Sequence, residues 1–143
     1  MRIDYENPWL YNGIVFNSDS ILSYSSFVYI ITNKINNRKY IGKKCFYSVR
    51  KVNSSVKGKR RKKSFSDWEK YYGSNESLKN DVKEFGSNNF TREIIYLCNN
   101  KAEASYLEAK LQFENDVLLS DNWYNGWIMC RVTKTHLKDL AKI

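Results

Sequence analysis

The sequence predicts a small α/β domain, and three observations lead there. Two short runs rich in aromatic and β-branched residues, 27–31 and 40–41, flank a polar, Asn-rich turn, the pattern of a β-hairpin. Residues 90–97 form a further strand-like run, Phe-Thr-Arg-Glu-Ile-Ile-Tyr-Leu. Helix-forming sequence stands on either side of it. With 143 residues, 42% of them apolar, the chain is long enough for one domain with a core of its own.

Residues 1–26 read as an N-terminal extension. They show no clear period and hold the only proline, Pro8, while Trp9, Leu10, Tyr11, Ile14, Val15 and Phe16 are suited to an edge strand or a packed arm. The hairpin follows, with Tyr29 in its first strand, Tyr40 in its second, and Gly42 closing it where a backbone must turn or a ligand must come close. Residues 44–52 then read as a short helix with Cys45, Tyr47, Val49 and Val52 available for packing and Arg50 on its surface. Residues 53–66 read as a loop, because six of the seven residues from 57 to 63 are basic and repel one another.

Asn75 is placed to cap a helix reaching about Glu84, with Leu78, Val82 and Phe85 at helical spacing and Gly86 to end it. After the strand at 90–97, Asn99-Asn100 opens the longest helix, 101–118, rich in Ala, Leu, Glu, Lys and Gln. Ala104, Leu107, Leu111 and Leu118 fall on one stripe of that helix, and Glu108 falls on the same stripe. A carboxylate on a buried face needs a cation, either a metal or a neighbouring Lys or Arg. Glu103 and Glu114 project to less buried positions. Residues 119–126 form a loop ending in Trp123-Tyr124-Asn125-Gly126, residues 127–132 read as a short strand, and 134–142 as a basic terminal helix capped by Thr133. No internal repeat is present.

The charge is unevenly placed. Between Ser20 and Ser66 there is no Asp or Glu, and thirteen Lys or Arg stand there against a net charge of +9 for the whole chain, so the remainder is acidic. That concentration points to a polyanion, nucleic acid in preference to an anionic membrane, since no amphipathic helix or lipidation signal accompanies it. Lys43, Lys57, Lys59, Arg60, Arg61, Lys62 and Lys63 are the candidate phosphate contacts. No run of 18 apolar residues and no secretory signal is visible. Three scattered cysteines, Cys45, Cys98 and Cys130, read as reduced thiols of a cytoplasmic protein. One histidine, His136, leaves a Cys/His zinc site and a histidine base out of the expectation.

The hairpin resembles the signature of the GIY-YIG nuclease family. Phe27-Val28-Tyr29 stands where that signature has Gly-Ile-Tyr, and Tyr40-Ile41-Gly42 stands unaltered, the two tyrosines eleven positions apart. Phe27 in place of the first glycine is the departure. Trp68 and Tyr72-Gly73-Ser74 resemble a second feature of the family, closest to the phage Seg-like homing endonuclease group. The resemblance spans residues 27–126 and implies a nuclease domain at 27–127, followed by a C-terminal extension at 128–143. It implies a three-stranded, mainly antiparallel sheet flanked by helices.

The resemblance also implies roles. Glu108 becomes the single protein ligand of Mg²⁺ (or Mn²⁺), Tyr29 the general base, Tyr40 a partner of the attacking water or the metal shell, and Arg50 the group that stabilises the charged phosphate. Lys44 is a second cation, and Asn125 orients a side chain or contacts phosphate, although it also suits an ordinary turn before Gly126. Tyr72 serves either DNA contact or the core. A phenol titrating near 10 must be depressed to act as a base, and lysine-rich, acid-free surroundings predict that direction. The activity implied is metal-dependent DNA cleavage of the phage or mobile-element homing type, in a bacterial host's cytoplasm. A non-catalytic nucleic-acid-binding protein with this fold, or an RNA-directed nuclease, are the alternatives. The target site, nicking or double-strand cutting, and oligomeric state are not written in the residues.

Overall fold

Asn37 adopts the left-handed conformation, with φ of 60°, and the Asn33 side chain accepts from Ile35 N at 2.9 Å. These Asx contacts turn the chain between β3 (Ser26–Asn33) and β4 (Lys39–Cys45), which pair antiparallel with Tyr29 opposite Gly42. The hairpin is part of a computed structural model that describes residues 7–51, 61–131, 134–137 and 140. For Arg50, Lys51, Arg61, Lys62 and Thr135 it describes the backbone alone.

Upstream, Asn12 and Gly13 both take positive φ, 52° and 78°, joining β1 (Trp9–Tyr11) to β2 (Ile14–Phe16) in a two-residue turn. β1 pairs in parallel with β7 (Phe90–Cys98), and β7 pairs antiparallel with β3. The sheet therefore has five strands in the order β2-β1-β7-β3-β4. It is mainly antiparallel, as expected, but has more than three strands. The Asn-Gly hairpin signal at 12–13 adds two at one edge, drawn from the stretch read as an extension.

Residues 44–52 are not a helix. β4 runs through Cys45, Phe46 is fully buried, and β5 (Tyr47–Lys51) pairs antiparallel with β6 (Arg61–Phe65) as a separate two-stranded ribbon. Val52 lies outside the described residues. Tyr47 and Val49 fit period two as well as a helix, and pairing with β6 decides between them: the rings of Tyr47 and Phe65 stack across the ribbon, 5.2 Å between centroids. Part of the expected loop 53–66 is likewise a strand. The Lys63 ammonium sits 4.1 Å over the Tyr47 ring across the ribbon.

α1 (Glu76–Phe85) is capped by Asn75, whose side chain accepts from Leu78 N, and ends at Gly86 with φ of 88°. α2 (Lys101–Glu114) is capped by Asn100 and stops four residues earlier than expected. Asp116 turns left-handed at φ 49°, which buries Val117 and leaves Leu118 48% exposed. Glu103 is buried, contrary to its projection: its carboxylate accepts from the Asn99 backbone N–H and from the side-chain amides of Asn99 and Asn100, a capping arrangement at the helix start. Residues 127–131 form no strand. Of the expected terminal helix, Lys134–Leu137 is a 3₁₀ turn, and residues 138, 139 and 141–142 lie outside the described residues.

Two cores sit on the two faces of the sheet. One gathers Trp9, Phe16, Phe27, Tyr29, Phe46 and Trp68; the other joins Val28 and Ile41 to Ala104, Leu107 and Leu111 of α2. Phe27 stacks on Phe46 at 4.8 Å and meets Trp9 edge-on at 5.0 Å, so a large ring fills the first position of the tyrosine signature.

Candidate active site

β4 is one of the two edges of the sheet. Residues 122–125 run beside it: Lys39 N donates to Asn122 O, and Tyr124 N to Lys39 O. Asn125 continues the pairing with its side chain, accepting from Ile41 N at 3.0 Å and donating to Ile41 O at 2.8 Å. Tyr124 locks the same segment by donating to Asp81 Oδ2 at 2.6 Å and accepting from Asn33 Nδ2 at 3.0 Å. Asn125 thus orients main chain at the strand edge and seals it.

A cavity of about 350 Å³ opens where this segment, β4 and α2 meet. Tyr29, Tyr40, Lys43, Glu108, Gln112 and Asn125 are in its wall. The phenols belong to one face of the sheet and Glu108 to the helix on the other, so they meet only around the β4 edge. Gly42 makes that meeting possible. A Cβ there would lie 2.3 Å from Tyr29 Oη and 2.8 Å from Tyr40 Cε2. The Tyr29 ring crosses the space a side chain would take, which is a physical reason for glycine opposite that tyrosine.

Tyr29 is fully buried among aromatic rings, 5.0 Å from Trp9 and 6.1 Å from Tyr71 between centroids. Burial raises its phenol well above 10, helped by Tyr40, Tyr71 and Glu108 and by a hydrogen bond with Tyr71. Tyr40 is also raised, first by burial, with Ser74, 3.1 Å from its hydroxyl, opposing. The expected depression of Tyr29 is therefore overturned: the groups that act on it are two phenols and a carboxylate, whereas Lys44 is paired with Asp67 and Lys63 lies over Tyr47. Burial pushes the Glu108 carboxyl from 4.5 up to about 7, with Lys43 opposing. Lys43 donates to Ser105 Oγ, which fastens it to α2 beside that carboxyl.

Other candidates separate from this cluster. Lys44 points to the opposite side, 2.7 Å from Asp67 Oδ1 and 4.1 Å over the Tyr71 ring. Tyr72 takes a hydrogen bond from Asn7 and stacks with the Arg92 guanidinium at 4.3 Å, a packing position away from the cavity. Arg92, itself buried, donates to the carbonyls of Glu69, Tyr71 and Asn7 and so fixes the loop that carries Tyr71. The Arg50 backbone stands on β5 opposite Lys62. Its side chain, those of Arg61 and Lys62, and the whole of Lys57, Lys59 and Arg60 lie outside the described residues. Lys63 is exposed on the ribbon.

Reading the sequence missed Tyr71, Ser105 and Gln112. The last two were open to it, because they lie three residues before and four after Glu108 on one helix face. Gln112 is only 4% exposed; its Nε2 donates to Ile41 O at 3.2 Å, and its Oε1 is buried without a hydrogen-bond partner among the described residues. Among the described residues no group of three or more His, Cys, Asp or Glu gathers to hold a metal, and no helix is long and apolar enough to cross a membrane.

A hairpin with paired phenols, a glycine under the first, and a carboxylate brought alongside by a late helix define a GIY-YIG-type domain. Residues 9–128 match the family described as "Putative endonuclease segE, GIY-YIG domain", and the chain belongs to that family. It is 31% identical over 99 residues to "Putative endonuclease segE" of Enterobacteria phage T4, an alignment covering 69% of this chain and 39% of that protein. The chain thus spans well under half the length of this relative. No solved structure matches it.

Proposed function

We propose that the chain is the catalytic domain of a divalent-metal-dependent DNA endonuclease of the phage homing type. The observation that carries this is the convergence of Tyr29, Tyr40, Lys43 and Glu108 on one cavity, in a chain that also carries a strongly basic ribbon. The cavity walls fit a cation. Glu108 is a desolvated carboxylate facing open space, with one lysine beside it, and a divalent ion is the partner that would make its charged form favourable. Glu108 would be the one protein carboxylate holding Mg²⁺ or Mn²⁺, with water and substrate phosphate supplying the other oxygens. When bound, such an ion supplies Lewis acidity toward a phosphate oxygen and the departing 3′ oxygen.

The chain's own residues do the rest. Lys43 and Arg50 are assigned to the phosphate, where a cation offsets the charge that grows in the transition state. Tyr40 orients the attacking water through its hydroxyl. Tyr29 is assigned as the base; burial and the phenols and carboxylate around it raise its phenol, so positive charge beside it, as from Lys43, is needed to counter them. Asn125 and Gln112 hold Ile41 in place between the two signature residues that flank it, Tyr40 and Gly42. The β5–β6 ribbon and the basic sequence that links its two strands serve the phosphate backbone, and a two-stranded ribbon is narrow enough for the major groove of duplex DNA.

The test is incubation with supercoiled plasmid and with phage DNA, in Mg²⁺ and in chelator. Metal-dependent nicking or linearisation, lost in Tyr29→Phe, Arg50→Ala and Glu108→Ala, is expected. Cleavage unaffected by Glu108→Ala removes the metal assignment. Salt-sensitive binding without cutting of any DNA offered makes this a binding protein instead.

A further inference from the structure

Buried polar atoms almost always find a partner, so an orphan beside a catalytic cavity needs a reason. Gln112 supplies one. Its amide cannot simply turn over: Nε2 is on Ile41 O, and exchanging the two ends would set oxygen against that carbonyl. The same carbonyl takes Asn125 Nδ2 at 2.8 Å, so both its lone pairs are used and the arrangement is fixed. What remains is Oε1, an acceptor sealed from bulk solvent, on a side chain that lines the cavity one helical turn beyond Glu108.

We infer that Gln112 is a positioning residue for the cation's hydration shell, its Oε1 accepting a hydrogen bond from a water that the ion carries. This rests on Glu108 holding that ion. The chemistry matches in sign. Water on a divalent cation offers only O–H donors, and an ion held by one carboxylate keeps several such waters. A site built to receive it needs neutral acceptors close to the carboxylate, because a second buried carboxylate would add repulsion. Gln112 gives an acceptor without a charge, held at fixed length by its own bond to β4. The substrate phosphate does not explain the orphan: its oxygens are acceptors too, and would be repelled by Oε1.

The experiment measures Mn²⁺ binding by the full chain without DNA, following free Mn²⁺ by electron paramagnetic resonance, alongside thermal melting of the metal-free protein. Gln112→Met keeps the side chain's length and removes both polar ends. It should bind Mn²⁺ about 10- to 100-fold more weakly, the usual effect of losing a partner of a metal's ligand shell. Its metal-free melting temperature should stay level or rise, because removing a buried polar group together with its unmet need is neutral or favourable. A purely structural glutamine predicts the reverse: a lower melting temperature and unchanged Mn²⁺ affinity. Gln112→Leu, a second apolar replacement with a different shape, carries the same two expectations and keeps the test alive if the Met variant does not fold. Parental Mn²⁺ binding by a folded Gln112→Met or Gln112→Leu variant overturns the inference. Glu108→Gln separates the two ideas. If it binds Mn²⁺ like the parent, the metal reading itself has failed; if it loses binding while Gln112→Met does not, only the role given to Gln112 has.

Discussion

Gly42→Ala is the smallest change that probes the site's geometry. It adds one methyl group, and that methyl would stand 2.3 Å from Tyr29 Oη, 2.5 Å from Tyr29 Cζ and 2.8 Å from Tyr40 Cε2. Ordinary contact between such atoms is about 3.5–4 Å, so something must move by about 1 Å. Tyr29 has nowhere easy to go. Its ring is wedged against Trp9, Phe27 and Tyr71, with centroids 5.0, 5.8 and 6.1 Å away. Overpacking of this kind costs about 1–3 kcal/mol. For a domain of this size that is a fall of roughly 3–10 °C in melting temperature. A catalytic hydroxyl displaced by about 1 Å loses on the order of 100-fold in rate. Thermal melting and plasmid nicking at saturating metal read the two effects. The double variant Gly42→Ala, Tyr29→Phe removes the nearest offending atom and should regain part of the lost stability but none of the rate. Parental melting and parental cleavage in Gly42→Ala would show that the Tyr29 ring does not lie over Gly42, and the account of the site would fall with it.

Other outcomes follow from the same geometry. Glu108 is neutral more readily in the folded chain than in the unfolded one, so the folded state binds the extra proton and stability falls as pH rises from about 4.5 through about 7. Glu108→Gln should remove that fall and be more stable than the parent above pH 7 by about 3 kcal/mol, measured by urea unfolding across pH. Mn²⁺ must displace the same proton, so the parent's affinity should weaken toward about tenfold per unit below pH 7, in a titration at constant ionic strength. Asn125→Asp replaces a donor to Ile41 O with an acceptor and should cost about 2–4 kcal/mol in urea unfolding at neutral pH; a loss under 0.5 kcal/mol would deny Asn125 its place on the strand edge. Replacing Arg61, Lys62 and Lys63 by Gln should lower the slope of log binding constant against log salt by roughly 2–3 on duplex DNA, and an unchanged slope would take the ribbon out of the interface.

The sequence by itself determined the hairpin, both main helices and their caps, the last long strand, and the identity of the two phenols and Glu108. These are local matters. Asn75, Asn100 and Gly86 act within a turn of where they stand, and the stripe holding Glu108 is read from spacing along one helix. The tertiary structure decided the rest, because it depends on what packs against what. Residues 47–51 carry a pattern that suits helix or strand, and only the arrival of 61–65 beside them selects the strand. Lys44 and Lys43 are neighbours in sequence but leave opposite faces of β4, one to Asp67 and one to Ser105, so adjacency to Gly42 could not say which reaches the cavity. The direction in which Tyr29 shifts is hidden from the sequence for the same reason: counting lysines along the chain gives the charge nearby in sequence, while a phenol responds to burial and to the groups within a few ångströms of it in space.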